Sequence, residues 1–505
     1  MRFKTLETAL CLVLVGAAPA NAQQGTLYRG ALVIDGTGAA EYVADVRVRA
    51  GLIDRIGDLT PTPGERVVDA EGLVLAPGFI DTHSHHDGGI FENPDALAAV
   101  SQGITTIVVG QDGGSRFPLA EFFGRLEDSP AAVNVASYVG HGRLRSEVLG
   151  DDYRRAATVS ETDRMRVLLS SELNAGALGL STGLEYDPGI YSDPAEVISL
   201  ARETARHGGR YISHMRSEDR YLWAAVEEII EIGREARLPV QISHMKMAMK
   251  SLWGQADRLV ARLEEARTEG IDITADVYPY EYWQSTMTVL FPEREYTREA
   301  ATFALEELAP PEGLLIARFA PDPSYVGKTL AEIAELRHAD PVTVYLELIA
   351  EVQSMRQETG RGGESVIGTS MATGDVVRLL QWEHTNVSSD GGLNGRHPRG
   401  YGAFTRVLGR YAHEHGYLSM VDAVHKMTGL AAAHTGLADR GVIRPGAPAD
   451  LVLFDPYAVI DRATSENPNA VSEGIVGVWV NGEEVFVLGK ATGARPGQVI
   501  RRREQ

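Results

Sequence analysis

The hydrophobic positions of this 505-residue chain fall into two textures. Near the start, short apolar runs (Ala31–Ile34, Val46–Val48, Leu52–Ile56) alternate with turn residues such as Asp35-Gly36-Thr37-Gly38. The other end repeats the texture with Leu451–Phe454, Val476–Val480 and Val485–Val487, and Asn481-Gly482 marks a hairpin turn. Short β-rich runs bounded by turn signals read as antiparallel strands. Two β-rich ends around a middle of different texture predict one small β-sandwich, built from residues 23–75 and 436–505.

The middle alternates apolar runs with helical periodicity. Strands are predicted at Leu73–Ile80, Thr105–Val109, Val133–Val139, Ala177–Ser181, Arg210–Ile212, Val240–Ile242, Ile271–Ala275 and Asn386–Val387. Helices such as Ala195–His207, Leu222–Ala236 and Leu252–Thr268 separate them. Eight near-continuous apolar strands alternating with helices predict an α/β fold, a (β/α)8 barrel of the TIM type, over residues 76–435. The interval from Tyr280 to Asn386 is too long for a single crossover. It holds Ala309-Pro310-Pro311 and helical Leu330–Arg337 and Val342–Glu351. An inserted subdomain, residues 285–370, is therefore expected after the seventh strand, as a wall or lid over the barrel mouth.

Composition narrows the function. Arg2 and Lys4, the apolar Ala9–Ala18 and the small-x-small Ala20-Asn21-Ala22 predict a cleaved secretory signal, residues 1–22, and a periplasmic or secreted protein. The apolar run is too short for a membrane anchor. The one cysteine, Cys11, lies in that segment, so a mature chain has neither disulfide nor thiolate. Any metal site must use His, Asp and Glu. A net charge of -21 argues against nucleic acid as a partner. The terminal Arg501-Arg502-Arg503 reads as a solvated tail, and nothing speaks to oligomeric state.

Barrel chemistry is assembled at the C-terminal ends of strands. The first strand empties into His83-Ser84-His85, and alternation points both imidazoles to one side, placed to grip a transition-metal ion. The fifth ends in Ser213-His214-Met215-Arg216, the sixth in Ser243-His244-Met245-Lys246, and the eighth in Ser388-Ser389-Asp390-Gly391. Any one of these alone is an ordinary core or cap residue. Together they predict a metal-dependent hydrolytic centre, with Asp390 as the general base toward a metal-activated water. A plain ligand role is the alternative for Asp390.

These phrases occur with Pro77-Gly78-Phe79-Ile80-Asp81, Gln102-Gly103-Ile104-Thr105-Thr106, Ser181-Thr182-Gly183-Leu184-Glu185-Tyr186, Asp276-Val277-Tyr278-Pro279-Tyr280, His397-Pro398-Arg399 and Pro445-Gly446-Ala447-Pro448-Ala449-Asp450. The set resembles the metal-dependent amidohydrolase superfamily, and within it the N-acyl-D-amino-acid deacylase (D-aminoacylase) group, over nearly the whole chain. The resemblance implies zinc, as one or two divalent ions, and hydrolysis of a small N-acyl-D-amino acid or a dipeptide with a C-terminal D-residue. It implies Lys246 and Arg399 as cations for the substrate carboxylate, with Tyr186 and Tyr278 as hydroxyl donors. His141, in Gly140-His141-Gly142, is a weaker pocket candidate.

One departure stands out. Members of that group commonly carry a cysteine ligand after the second strand, in Gly-Asn-Cys-Gly, where this chain reads Gly110-Gln111-Asp112-Gly113. Two carboxylates are placed to substitute, Asp112 in the matching position and Glu185 at the end of the fourth strand. The reading favours Glu185. Alternatives are an amidohydrolase of cyclic amides, of other acylated amines or of lactones, and a non-catalytic binding protein. The missing strand-four lysine and the insertion weigh against cyclic amides, and the retained ligands against a dead site.

Overall fold

In the computed structural model, which describes residues 25–360, 363–393, 395–437 and 439–502, eight parallel strands close into a barrel. The predicted signal segment and Cys11 lie outside these residues. The barrel strands are β1 (Phe79–Asp81), β2 (Ile104–Val109), β3 (Asn134–Ser137, resuming as Val139–Gly140) and β4 (Gly179–Gly183). They continue as β5 (Arg210–His214), β6 (Val240–Ile242), β7 (Ile273–Val277) and β8 (Thr385–Val387). Parallel ladders join each to the next from β1 to β8. Closure of β8 onto β1 is made just past the strand ends. Asp390 N–H donates to His83 O and His85 N–H to Gly391 O, both at 2.9 Å. The buried Asp81 carboxylate accepts the Ser389 N–H (2.9 Å) and hydroxyl (2.5 Å). The seam thus lies beside the first histidine pair.

The predicted strand Leu73–Ile80 is two strands. Val74–Pro77 belongs to the sheet of the chain ends, antiparallel to Leu451–Phe454, whereas Phe79–Asp81 opens the barrel. Gly78 is the joint, and a Cβ there would fall 2.2 Å from the Thr105 side chain. Every residue from Val74 to Asp81 is buried, so no polar break marks the boundary. The terminal sheet has nine strands drawn from residues 26–77 and 451–491. It curls over one core, in which Ile53 from one end meets Trp479, Leu75 and Leu451. Tyr28 packs edge-on against Trp479 at 4.9 Å.

After β7, Tyr282–Ser285, Leu314–Phe319 and Glu364–Thr369 form a separate antiparallel sheet. Helices Leu330–Arg337 and Pro341–Thr359 accompany it, each capped at its N-terminus by a side chain, Thr329 and Asp340. The turn Met287–Leu290 reaches the barrel mouth. It is fixed there by Met287 N–H donating to both Glu364 oxygens (3.0 and 2.9 Å) and by Tyr345 Oη donating to Met287 O (2.7 Å).

The C-terminal arginines are not a solvated tail as far as Arg502. β3 breaks at Tyr138, and β4 pairs only with its second part, which leaves Val135 with free main-chain groups. The tail fills that gap. Val135 N–H donates to Gln498 O (2.9 Å), Ile500 N–H to Val135 O (2.8 Å) and Arg502 N–H to Gly176 O (2.9 Å). Arg501 pairs with Glu127 at 2.6 Å. A net gain of about 1 kcal/mol per hydrogen bond makes this strap worth a few kcal/mol. Deleting residues 496–505 should lower the thermal midpoint by several degrees in a circular-dichroism melt, and an unchanged midpoint would show the strap to be idle.

Burial pushes the Glu364 carboxyl up to about 7 from 4.5, against the pull of the Met287 N–H, Arg356 and Arg318. Between those two values the native chain holds a proton that the unfolded chain has released, so stability falls as pH rises. The difference corresponds to about 3 kcal/mol. Glu364→Gln keeps an acceptor for Met287 and removes the charge. Its thermal midpoint should gain on the parent protein between pH 5 and pH 8, and a pH-independent difference between the two would contradict this.

Candidate active site

Three of the strand ends turn inward through left-handed backbone: Asp112 (φ 53°), His244 (φ 34°) and Asp390 (φ 48°). That region is sparsely populated for non-glycine residues and is held only where neighbours enforce it. Asp112 sits between Gly110 (φ 76°) and Gly113 (φ 75°), and a Cβ on Gly110 would lie 2.3 Å from Tyr138 O. His244 N–H is held by Asp276 Oδ1 at 2.9 Å, and Asp390 N–H by His83 O. Each turn folds a side chain back over the barrel axis.

The side chains converge on Asp112. Its Oδ1 is 3.4 Å from His83 Nε2 and 3.4 Å from His244 Nε2, and its Oδ2 is 3.3 Å from His85 Nε2. Asp390 Oδ1 is 3.2 Å from His85 Nε2 and 3.6 Å from His83 Nε2. His214 Nδ1 stands 3.1 Å from His244 Nε2. Three donor groups result at this centre, His83/His85/Asp112/Asp390, Asp112/His214/His244 and Glu185/His214/Glu218, with Asp112 in the first two and Glu185 in the third.

This donor set fits metal ions. Both ring nitrogens of His83 and Oδ1 of Asp112 are buried without any hydrogen-bond partner, an arrangement that native cores avoid unless something else satisfies them. In a tetrahedral zinc site with ligands at about 2.0–2.1 Å, neighbouring ligand atoms stand roughly 3.3 Å apart, close to the spacings here. The outer nitrogens are oriented as metal-binding histidines require. His214 Nε2 contacts Glu185 Oε2 at 2.9 Å, and His244 Nδ1 contacts Glu218 Oε1 at 2.9 Å. His214 Nδ1 and His244 Nε2 are left facing Asp112.

Both carboxylates that the sequence offers as a replacement ligand sit in such a donor group. Asp112 lies within reach of both histidine pairs, whereas Glu185 contacts His214 on the other face of its ring.

Electrostatics agree with this division. Burial opposes the charge of Asp112, but His83 and His244 outweigh it and hold the carboxyl well below its usual range. Asp390 is likewise lowered against burial, chiefly by Arg399. Burial, reinforced by Asp219 and Glu218, pushes Glu185 well above its usual value. Burial lowers His214 to about 4, so its ring is neutral near pH 7, the form that binds a metal.

The predicted substrate residues gather on the inner side. Arg399 Nη1 pairs with Asp390 Oδ2 at 2.6 Å, and its buried Nε has no partner. Tyr278 lies between the cations, its ring centroid 4.7 Å from the Arg399 guanidinium and 5.7 Å from Lys246 Nζ, and its buried hydroxyl is unpartnered. Tyr186 packs on His214 at 4.2 Å. Lys246 is not a free cation, because its Nζ donates to both Glu218 oxygens at 2.6 and 2.7 Å. His141 lines neither of the two cavities at the barrel mouth and is bonded to Glu196 at 2.7 Å. Sequence reasoning missed Glu218 and Asp276. The four-residue spacing of Glu218 from His214 was the available signal for the first, and the Asp276-Val277-Tyr278 phrase for the second. Above the site, an outer cavity of about 1100 Å³ opens between the barrel mouth and the insertion.

A barrel with this strand-end donor set is the architecture of a metal-dependent hydrolase. The model of the amidohydrolase family matches residues 66–361 and 297–486, and the chain belongs to that family. It is 38% identical over 497 residues to the N-acyl-D-glutamate deacylase of Alcaligenes xylosoxydans xylosoxydans, covering 94% of this chain and 96% of that protein. It is 36% identical over 501 residues to the D-aminoacylase of the same organism, covering 94% and 97%. Among solved structures, the N-acyl-D-glutamate deacylase of Bordetella bronchiseptica, complexed with zinc and a phosphonate inhibitor, superposes with a TM-score of 0.85 at 36% identity, covering 95% and 100%.

The ligand assignment makes a stoichiometric prediction. Asp112→Ala should lose most bound metal when the purified, zinc-loaded protein is measured by plasma mass spectrometry. Glu185→Gln, which keeps an acceptor for His214, should retain most of it, and the reverse pattern would make Glu185 the ligand.

Proposed function

We propose that the protein is a zinc-dependent hydrolase that cleaves the amide bond of N-acyl-D-amino acids. The carrying observation is Asp112, shared by two histidine pairs beside the Asp390–Arg399 ion pair at the floor of a small-molecule cavity. The named activities of the relatives and the zinc in the Bordetella structure support the reading.

A divalent ion held by these donors supplies Lewis acidity and lowers the pKa of water from 15.7 to about 7. The chain supplies the rest. Asp390, kept ionised by Arg399, takes the proton of the attacking water and passes it to the leaving amine. Arg399 Nε and the Tyr278 hydroxyl, both buried and unpartnered, offer donors to the substrate's α-carboxylate. Lys246 adds less charge than the sequence implied, since Glu218 neutralises it, and instead stiffens the carboxylate that orients His244. Met287, Thr288 and Val289 form part of the cavity wall facing the centre. The same proposal puts the mature chain outside the cytoplasm, on the strength of Arg2, Lys4, Ala9–Ala18 and Ala20-Asn21-Ala22.

Zinc-loaded protein should release free amino acid from one or more members of a panel of N-acyl-D-amino acids; no release from the whole panel would defeat the reading. Asp390→Asn should keep its metal and lose about 10³-fold in turnover. A near-normal rate would remove Asp390 from the proton path.

A further inference from the structure

Arg399 has two tasks at the centre, to face Asp390 and to offer donors to the substrate carboxylate. A free arginine side chain samples many rotamers, so something must aim it. Its guanidinium meets Asp390 Oδ2 at 2.6 Å and lies 4.7 Å from the Tyr278 ring centroid. Its main chain opens the helix Arg399–Arg406, whose first N–H groups have no partner within the helix. His397 is buried and takes no part in the hydrolytic steps. Its Nδ1 accepts the Arg399 N–H at 3.0 Å.

The other ring nitrogen reaches a different part of the molecule. His397 Nε2 donates to Tyr282 O at 2.9 Å. Tyr282 begins the first strand of the insertion. The returning chain is tied at the same neck, where Ser370 and Met371 N–H both donate to Glu281 O at 3.1 Å. The His397 ring stacks on Tyr282 at 4.8 Å and meets Tyr280 edge-on at 5.3 Å.

A neutral imidazole has one N–H and one lone pair, and the two partners use one each. Burial, helped by the Arg399 charge, holds the ring well below its usual pKa, so it keeps that neutral form. Arg406 ties the same helix to the neck, its Nε donating to Pro279 O at 2.8 Å, but does so about two turns beyond Arg399.

We propose that His397 is a positioning residue that seats Arg399 against the neck of the insertion, so that the inserted subdomain aims the guanidinium. The proposal rests on the deacylase reading above and extends it. The insertion is then more than a wall. Its neck sets the angle at which the α-carboxylate is received.

Two substitutions separate the two bonds. Asparagine places an acceptor near the Nδ1 position and stops short of Tyr282. Glutamine places a donor near the Nε2 position and leaves the Arg399 N–H without its acceptor. On the zinc-loaded full chain, with the best N-acyl-D-amino acid of the panel, His397→Asn and His397→Gln should each raise KM about tenfold, within the loss that about 1 Å of misplacement brings. Metal content should hold and kcat should change by less than about threefold, the signature of lost binding rather than lost chemistry. Arg406→Gln, which loosens the neck from the far end of the helix, should leave KM near the parent value. An unchanged KM in either His397 variant, or an equal rise in Arg406→Gln, overturns the proposal. Should one His397 variant fail to fold, the other decides. If the parent protein turns over no member of the panel, the deacylase reading fails alone. Crystal structures of the His397 variants then decide the seat: the Arg399 guanidinium should leave Asp390, and an unmoved guanidinium overturns it.

Discussion

The Asp112 carboxylate is the interaction on which this molecule is balanced. Among the described residues it is the anion within reach of three of the four imidazoles at the barrel mouth, His83, His85 and His244, and without it the buried His83 and His244 would share no counter-charge at their Nε2 atoms. Keeping it there demands left-handed backbone at an aspartate. That in turn demands glycine on both sides, because Gly110 lies against the Tyr138 carbonyl. The crossing at Tyr138 coincides with the break in β3, and that break leaves the edge that the C-terminal tail occupies. A site at one end of the barrel and a strap at the other thus share a single strand and its interruption.

The sequence exposed what repeats and hid what depends on direction. His83, His85, His214, His244 and Asp390 were legible because each ends an apolar run, and a barrel gathers such ends on one face. Asp112 and Glu185 approach His214 from different sides of its ring, and strand register does not encode that difference. Lys246 lines the pocket, but its ammonium is already paired, and the sequence hid this because its partner Glu218 sits in the loop after β5, in a stretch of ordinary polarity. The split at Gly78 was invisible for the opposite reason. Both neighbouring strands are wholly buried, so the hydrophobic pattern runs across the boundary between the two folding units. The tail misled through its arginines, whose charges masked the alternating Val499 and Ile500 that do the docking.

The donors gathered at the barrel mouth are imidazoles and carboxylates, with no thiol among the described residues. A thiolate is a soft ligand and climbs the oxidation ladder; a carboxylate is harder and has no such chemistry. Side chains of these types give thiol reagents nothing to attack.

The strap on β3 bears on how the chain comes into being. Val135 is bonded to residues 498 and 500, so a strand in the first third of the barrel takes a partner from a segment made hundreds of residues later. Until that segment is made, that strand presents an open edge, and the sheet of the chain ends lacks the strands that follow residue 450. An unpaired strand edge of this kind is a surface for non-native pairing until its partner arrives.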